Sequence, residues 1–142
     1  PHAFELAVNG PQSLLREHGW TTVDAMGVSR SLWDYRAFIQ RSKGEFGVAK
    51  HAYVSRRSGW FSDRTECYLA AGRPAVVQDT GWSSHVPAGA GLFGFSEPDQ
   101  ALACLDEVAS NYAVHARAAL ELAHEHFEAS RVLRRLLDEA GV

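Results

Sequence analysis

Four residues near the middle of the chain have the types and spacing that suit binding of a negatively charged group. Gly59 lies in a loop, and Ser62, Asp63 and Arg64 follow it where a helix is predicted to begin. The unpaired backbone N–H groups and the positive dipole end of a helix N-terminus attract a phosphate or pyrophosphate. Arg64 adds positive charge and can bind two oxygens of such an anion. A structural ion pair is an equally open interpretation of Arg64.

Structural roles compete with ligand binding for the neighbouring residues. Asp63 and Glu66 have the spacing of a capping box, in which the two residues satisfy free N–H groups of the first turn. Ser62 and Asp63 are therefore also predicted as N-cap residues, and Glu66 as either a cap or a nucleotide contact. Cys67 is predicted to be a small buried hydrophobic residue and not a nucleophile, because no basic neighbour is positioned to lower its pKa.

A second segment, residues 44–47, could also approach a ligand. Gly44 and Gly47 flank Glu45 and Phe46, and a residue without Cβ lets a ligand come close to the backbone. In an open α/β sheet, ligands bind beyond the carboxyl ends of the strands. Both this segment and the Gly59 loop are predicted to lie at such an edge.

Other residues with functional potential are predicted to be structural. Trp60, Phe61 and Trp82 could stack on a base or sugar ring, but aromatic residues beside glycine more often anchor a loop to the core. His124 and His126 are two residues apart on a helix and therefore face different directions. We predict no metal site.

The elements that must position these residues are short and alternate along the chain. Four apolar runs predict strands, at residues 4–8, 45–49, 75–78 and 92–95. Helices are predicted near residues 14–18, at residues 32–42 with Ser31 as N-cap, and for about two turns between Asp63 and Gly72. Strands alternating with helices indicate a parallel sheet and the α/β class.

The C-terminal third is predicted to be helical throughout. Ser96 and Asp99 are candidate caps of a first helix, with Pro98 in its first turn, and a second helix follows. Ser130 is the expected cap of a third helix. Five apolar residues of that helix are predicted to face inward: Val132, Leu133, Leu136, Leu137 and Ala140.

Composition excludes several classes of protein. The chain has 142 residues, 46% hydrophobic and 22% charged, which is typical of a globular domain and not of a disordered one. A net charge of −3 argues against a nucleic-acid partner, and no apolar run is long enough for a membrane span. Two cysteines and no visible signal peptide favour the cytoplasm. Because the chain starts at Pro1 and almost at once enters a strand, we interpret it as a single domain or a fragment of a longer protein.

Residues 35–141 resemble a known family through several motifs. The matching pieces are residues 42–47, the helix from Arg64 to Pro74, the valine strand that follows it, Asp79-Thr80-Gly81, and the final helices. Together they resemble the C-terminal, donor-binding domain of glycosyltransferases with two facing Rossmann-like domains (GT-B type). The branch of spore-coat-maturation-type glycosyltransferase-like proteins is the most similar.

The resemblance implies a donor site for a nucleotide-diphosphate sugar, with no cofactor and no metal. It implies that the backbone of Glu45-Phe46-Gly47 approaches the donor, and that Ser62, Asp63, Arg64 and Glu66 belong to the same substrate-binding site. In many relatives a glutamate seven residues before the proline grips the ribose; that position is Cys67 here, beside Glu66. The catalytic base is expected in an N-terminal partner domain, so no catalytic residue is assigned and this chain alone is expected to be inactive.

Two other functions remain open. The chain could be a non-catalytic nucleotide- or sugar-binding module in which the change at Cys67 records lost transfer chemistry. It could also be a flavodoxin-like regulatory domain, for which Asp79 is the candidate phosphoacceptor.

Overall fold

A computed structural model describes residues 2–141, which form two compact units, divided between Arg41 and Ser42. The first unit contains two parallel strands and three helices. In chain order these are β1 (Glu5–Val8), α1 (Gln12–Glu17), β2 (Thr21–Asp24), α2 (Ala25–Val28) and α3 (Leu32–Arg41). The predicted strand at residues 4–8 and the helices near 14–18 and 32–42 are confirmed. β2 and α2 were not predicted.

Side-chain caps explain where two helices of the first unit begin. The hydroxyl of Ser31 accepts a hydrogen bond from the Asp34 N–H at 3.1 Å and donates to the Asp34 carboxylate at 2.8 Å, which confirms Ser31 as a cap of α3. Asp24 accepts the N–H groups of Met26 and Gly27 at 3.1 and 3.0 Å, so one carboxylate satisfies two free donors of α2.

The second unit is built on a three-stranded parallel sheet in the order β3-β4-β5. The strands are β3 (Glu45–Gly47), β4 (Ala75–Gln78) and β5 (Leu92–Phe95). All three predicted strands are confirmed, although β3 ends at Gly47 and not at residue 49. The start of β3 lies against β4 because the Glu45 N–H donates to the Pro74 carbonyl at 2.9 Å, and because a Cβ on Gly44 would strike that same carbonyl.

Five helices accompany this sheet. They are α4 (His51–Ser55), α5 (Asp63–Ala70), α6 (Pro98–Ser110), α7 (Tyr112–His126) and α8 (Ala129–Ala140), with a short 3-10 turn at Trp82–Ser84. The predicted caps of α6 are wrong, since Glu97 occupies the N-cap position. The Gln100 amide oxygen accepts the N–H groups of both Ser96 and Glu97, which ties the residues before α6 to its first turn.

The two faces of the sheet are covered by different helices. Val77 and Leu92 pack with Leu69 of α5 and Ala119 of α7 on one face. The other face carries residues of all three strands against α6, namely Phe46, Val76, Phe93 and Phe95 with Ala101 and Leu105. Successive strand residues point to opposite faces, so a strand such as β4, whose first three residues are all apolar, requires helices on both sides. The second unit is therefore a parallel sheet flanked by helices, followed by a helical C-terminus.

The prediction for α8 is wrong in two respects. Leu133, Leu136 and Leu137 are exposed, at 56%, 59% and 51% of their surface, and Ala140 is exposed as well. The reason is that α5, α6 and α7 already cover the sheet, so a further apolar stripe finds no surface to bury. The helix begins after Glu128, and Ser130 donates to the Glu128 carboxylate instead of capping the helix.

The helices described for residues 2–141 are each too short or too polar to cross a membrane.

Candidate functional site

A shallow pocket lies at the carboxyl ends of β3 and β4, where sequence reasoning predicted a ligand site. It is lined from three directions: by the segment that leaves β3, by the loop and first turn of α5, and by the end of β4. Its lining residues include Gly47, Val48, Ala49, Trp60, Phe61, Ser62, Arg64, Thr65, Val77 and Gln78. The two segments singled out from the sequence therefore meet in one pocket.

Hydrogen bonds from β4 and its following loop hold the rim of this pocket. The Gln78 amide oxygen accepts the Ala49 N–H at 3.1 Å, which ties down the segment after β3. Thr80, which is fully buried, donates its hydroxyl proton to the Trp60 carbonyl at 2.6 Å, and its own carbonyl accepts the Gly59 N–H at 2.9 Å. Loops that are far apart in the sequence are thus fixed relative to one another.

Gln78 and Thr80 were not predicted as part of the site. Gln78 directly follows the apolar residues of a buried strand, and Thr80 lies two positions further on. Because parallel strands present their carboxyl ends at one edge, polar residues at that point are a signal that could have identified them.

Arg64 forms the structural ion pair that the sequence left open, and it also lines the pocket where an anion contact was predicted. Its side chain is half exposed and lines the pocket. Its Nε also donates to Oε1 of Glu45 at 2.6 Å, and the Glu45 side chain is only 4% exposed. Glu45 lies behind Arg64 and does not itself line the pocket, so its contact with the site passes through the arginine.

The absence of a side chain at Gly47 leaves room beside this ion pair. A Cβ built there would lie 3.6 Å from Glu45 Oε1, 3.7 Å from Arg64 Nη2 and 3.1 Å from a methyl group of Val77. Glu45 and Gly47 point to the same face of the sheet because they are two residues apart on a strand. Because Gly47 has no side chain, Arg64 remains accessible from the pocket.

The Phe46 side chain points to the opposite face of the sheet from the other predicted site residues of β3, because successive strand residues alternate between the two faces. Its ring stacks on Phe95 at 5.6 Å between centroids with 6° between planes, in the core against α6. Phe46 is not among the residues that line the pocket. Its side chain contributes to packing and does not reach the pocket.

The start of α5 differs from the predicted capping box. Ser62 occupies the N-cap position, but its hydroxyl makes no capping hydrogen bond. Asp63 is the first helical residue, and its carboxylate accepts the N–H of the adjacent Arg64 at 2.8 Å. Glu66 does not reach back to the N-cap. The capping-box prediction is wrong, and the N–H groups of Ser62, Asp63 and Thr65 have no hydrogen-bond acceptor among the described residues.

Glu66 and Cys67 lie on α5 outside the pocket. Partial burial, and then the charge of Asp63, raise the pKa of the Glu66 carboxyl. Cys67 is exposed, so its predicted burial is wrong. Partial desolvation, followed by the charges of Asp63, Glu66 and Glu45, raises the pKa of the Cys67 thiol, which is the opposite of what a nucleophile needs.

The aromatic residues near the pocket divide into two groups. Phe61 and Trp82 pack against one another and belong to the core, as predicted. Trp60 instead stacks on Tyr53, with 4.9 Å between ring centroids and 13° between planes, and 41% of its surface is exposed. All three residues line the pocket, and Trp60 is the most exposed of them.

Asp79 serves the turn after β4. Its Oδ1 accepts the Gly81 N–H at 2.8 Å and its Oδ2 accepts the Ser83 hydroxyl proton at 2.7 Å. Partial burial alone would raise the pKa of Asp79, but these bonds and the charge of Arg57 outweigh it, so the pKa is lowered. Within residues 2–141, no group of three His, Cys, Asp or Glu residues is arranged to hold a metal ion.

Comparisons with protein-family models, with curated proteins and with solved structures find no significant match to this chain.

Proposed function

We propose that the second unit is the donor-binding domain of a GT-B-type glycosyltransferase and binds a nucleotide-diphosphate sugar. The observation that supports this most directly is the pocket at the carboxyl ends of β3 and β4, where Arg64 and the first turn of α5 meet Gly47. A helix N-terminus with unpaired N–H groups and an adjacent guanidinium suits a diphosphate. The sequence resemblance of residues 35–141 points to the same substrate class.

The proposed chemistry follows from where negative charge develops. When the sugar leaves, the nucleoside diphosphate becomes a more negative leaving group, and fixed donors stabilise that charge. The N–H groups of Ser62 and Thr65, together with Arg64, supply such donors at the pocket, whereas Asp63 lies in the same first turn but does not itself line the pocket. The base that activates the acceptor belongs to a separate N-terminal domain, so none of the described residues is assigned to catalysis.

Binding of nucleoside diphosphates tests the proposal. Thermal unfolding of the chain is measured with UDP, GDP, ADP and TDP and with matching nucleotide sugars. A ligand at about 100 times its dissociation constant adds about 2.7 kcal/mol of stability. We expect a shift with one base that is lost in Arg64→Ala and retained in Arg134→Ala, an exposed arginine on α8. No shift with any diphosphate, for this chain and for one extended by an N-terminal domain, would refute the proposal.

A non-catalytic binding module is the second candidate. It is favoured by the side chains at the position that would hold the ribose, since Cys67 is exposed and Glu66 lies outside the pocket. Diphosphate binding without sugar transfer in the longer protein would support this module over the enzyme. The regulatory alternative gains no such support, because both oxygens of its phosphoacceptor candidate Asp79 are engaged in the turn.

A further inference from the structure

We infer that Glu45 is a positioning residue, which acts on a bound diphosphate only through Arg64. The inference rests on the proposed function and deepens it, because it assigns the geometry of the anion site to a buried carboxylate behind the arginine. Glu45 does not line the pocket, yet its Oε1 is bound to Arg64 Nε at 2.6 Å.

Stability alone does not explain a carboxylate at this position. The Glu45 side chain is 4% exposed, and its Oε2 is buried with no hydrogen-bond partner. Burying a charge with one oxygen unsatisfied is unfavourable, and an apolar residue of similar volume often stabilises a protein as well or better. A buried polar atom without a partner calls for an explanation other than packing.

Geometry at the pocket supplies that explanation. Arginine has a long side chain that samples many conformations when half exposed, and its planar guanidinium recognises phosphate only when correctly oriented. Because Glu45 is rigidly held in β3 and accepts from Nε, it fixes the plane of the Arg64 guanidinium. Nη2 then lies 3.7 Å from the point where Gly47 lacks a Cβ, which is the side facing the pocket.

Whether Glu45→Gln weakens or strengthens diphosphate binding distinguishes a positioning role from a simple electrostatic one. Glu45→Gln removes a negative charge beside Arg64, so electrostatics alone would strengthen binding of a diphosphate. Loss of orientation would weaken it, because a charge-assisted hydrogen bond becomes a neutral one. We expect Glu45→Gln to bind UDP, or whichever diphosphate of the panel binds best, about fivefold more weakly. Unchanged or tighter binding would overturn the inference.

A double-mutant cycle shows whether Glu45 acts through Arg64. In an Arg64→Ala background, Glu45→Gln is expected to cause no weakening of diphosphate affinity, because the orientation that Glu45 provides is already lost. A residue that merely maintained the fold would weaken binding in both backgrounds. If Glu45→Gln fails to fold, Arg64→Lys is measured in its place. Lysine retains the positive charge but has neither Nε nor a planar guanidinium. Diphosphate affinity clearly below that of the original protein is expected, because the ammonium keeps the charge but has no plane for Glu45 to orient, and affinity equal to the original protein would refute the inference.

A ligand-independent measurement distinguishes failure of this inference from failure of the proposed function. Phenylglyoxal modifies arginine side chains, and mass spectrometry gives the rate at each one. Glu45→Gln is expected to raise the rate at Arg64 at least threefold. Glu5→Gln is the matched control, because its 3.5 Å pair with Arg41 is half exposed on both sides and should leave the Arg41 rate nearly unchanged. If no diphosphate binds but the Arg64 rate rises, the proposed function fails and the positioning of Arg64 stands. Equal Arg64 rates would overturn it.

Discussion

The tightest backbone approach in the second unit predicts a large effect from a single methyl group. Gly91 lies just before β5 with φ of +75°, a conformation that residues with a Cβ rarely adopt. A Cβ built there would collide with the Ala119 N–H and would lie 2.7 Å from the Ala119 Cα and 2.8 Å from the Ala118 carbonyl carbon. Both residues belong to α7, so the collision is with helix backbone and cannot be relieved by a side-chain rotation.

The expected cost of Gly91→Ala has two parts. A left-handed backbone conformation costs about 1–2 kcal/mol for a residue with a Cβ. Forcing α7 away from β5 adds about 1–3 kcal/mol, the range measured when a close-packed interior is overfilled. The free energy of unfolding should therefore fall by about 2–5 kcal/mol. Urea unfolding, followed by tryptophan fluorescence, measures this change.

Gly89 provides the matched control. Its φ is also positive, at +110°, but nothing lies within 4 Å of a Cβ built there. Gly89→Ala should therefore lose only the stability that the backbone conformation costs, about 1–3 kcal/mol. If the two variants lose equal stability, the close approach of α7 to Gly91 does not exist and the packing argument is refuted.

Three further predictions concern other parts of the second unit. Leu69→Ala, at a fully buried residue, should cost about 2–5 kcal/mol in urea unfolding, whereas Leu133→Ala on exposed α8 should cost well under 1 kcal/mol. Thr80→Val should lower the free energy of unfolding by about 1 kcal/mol, because a buried hydroxyl bond to the loop is lost. Hydrogen bonds from His115, and then from the Asn111 side chain, lower the pKa of Glu107 from its usual 4.5. Their stabilisation is present above that value and is lost as the pH falls through the lowered pKa. When thermal unfolding is measured over a series of pH values, Glu107→Gln should lack this loss of stability at acid pH.

Local sequence determined most of the secondary structure, because the signals for it lie within a few residues. Residues 75–78 and 92–95 are short apolar runs bounded by turn residues, and both are strands with the predicted ends. Ser31 caps α3 through a contact that spans three residues. Where a competing local residue was available, the prediction was wrong, as when Glu97 and not the predicted caps occupied the N-cap position of α6.

Burial required information that periodicity does not contain. The spacing of Leu133, Leu136 and Leu137 correctly indicated one apolar side of a helix, but not whether another element covers it. The predicted burial of Cys67 was wrong for the same reason, since its side of α5 is turned away from the sheet. Whether an apolar stripe is buried depends on which surfaces the rest of the chain has already covered.

The sequence by itself determined that this protein has an α/β unit with a candidate anion site at a strand and helix boundary. The tertiary structure alone decided how that site is built. It joined Glu45 to Arg64 across 19 positions of sequence, directed Phe46 to the opposite face, and brought in Gln78 and Thr80 to hold the rim. The physical reason is that helix and strand signals are local, whereas an ion pair or a pocket forms between segments that only the packing of the whole unit brings together.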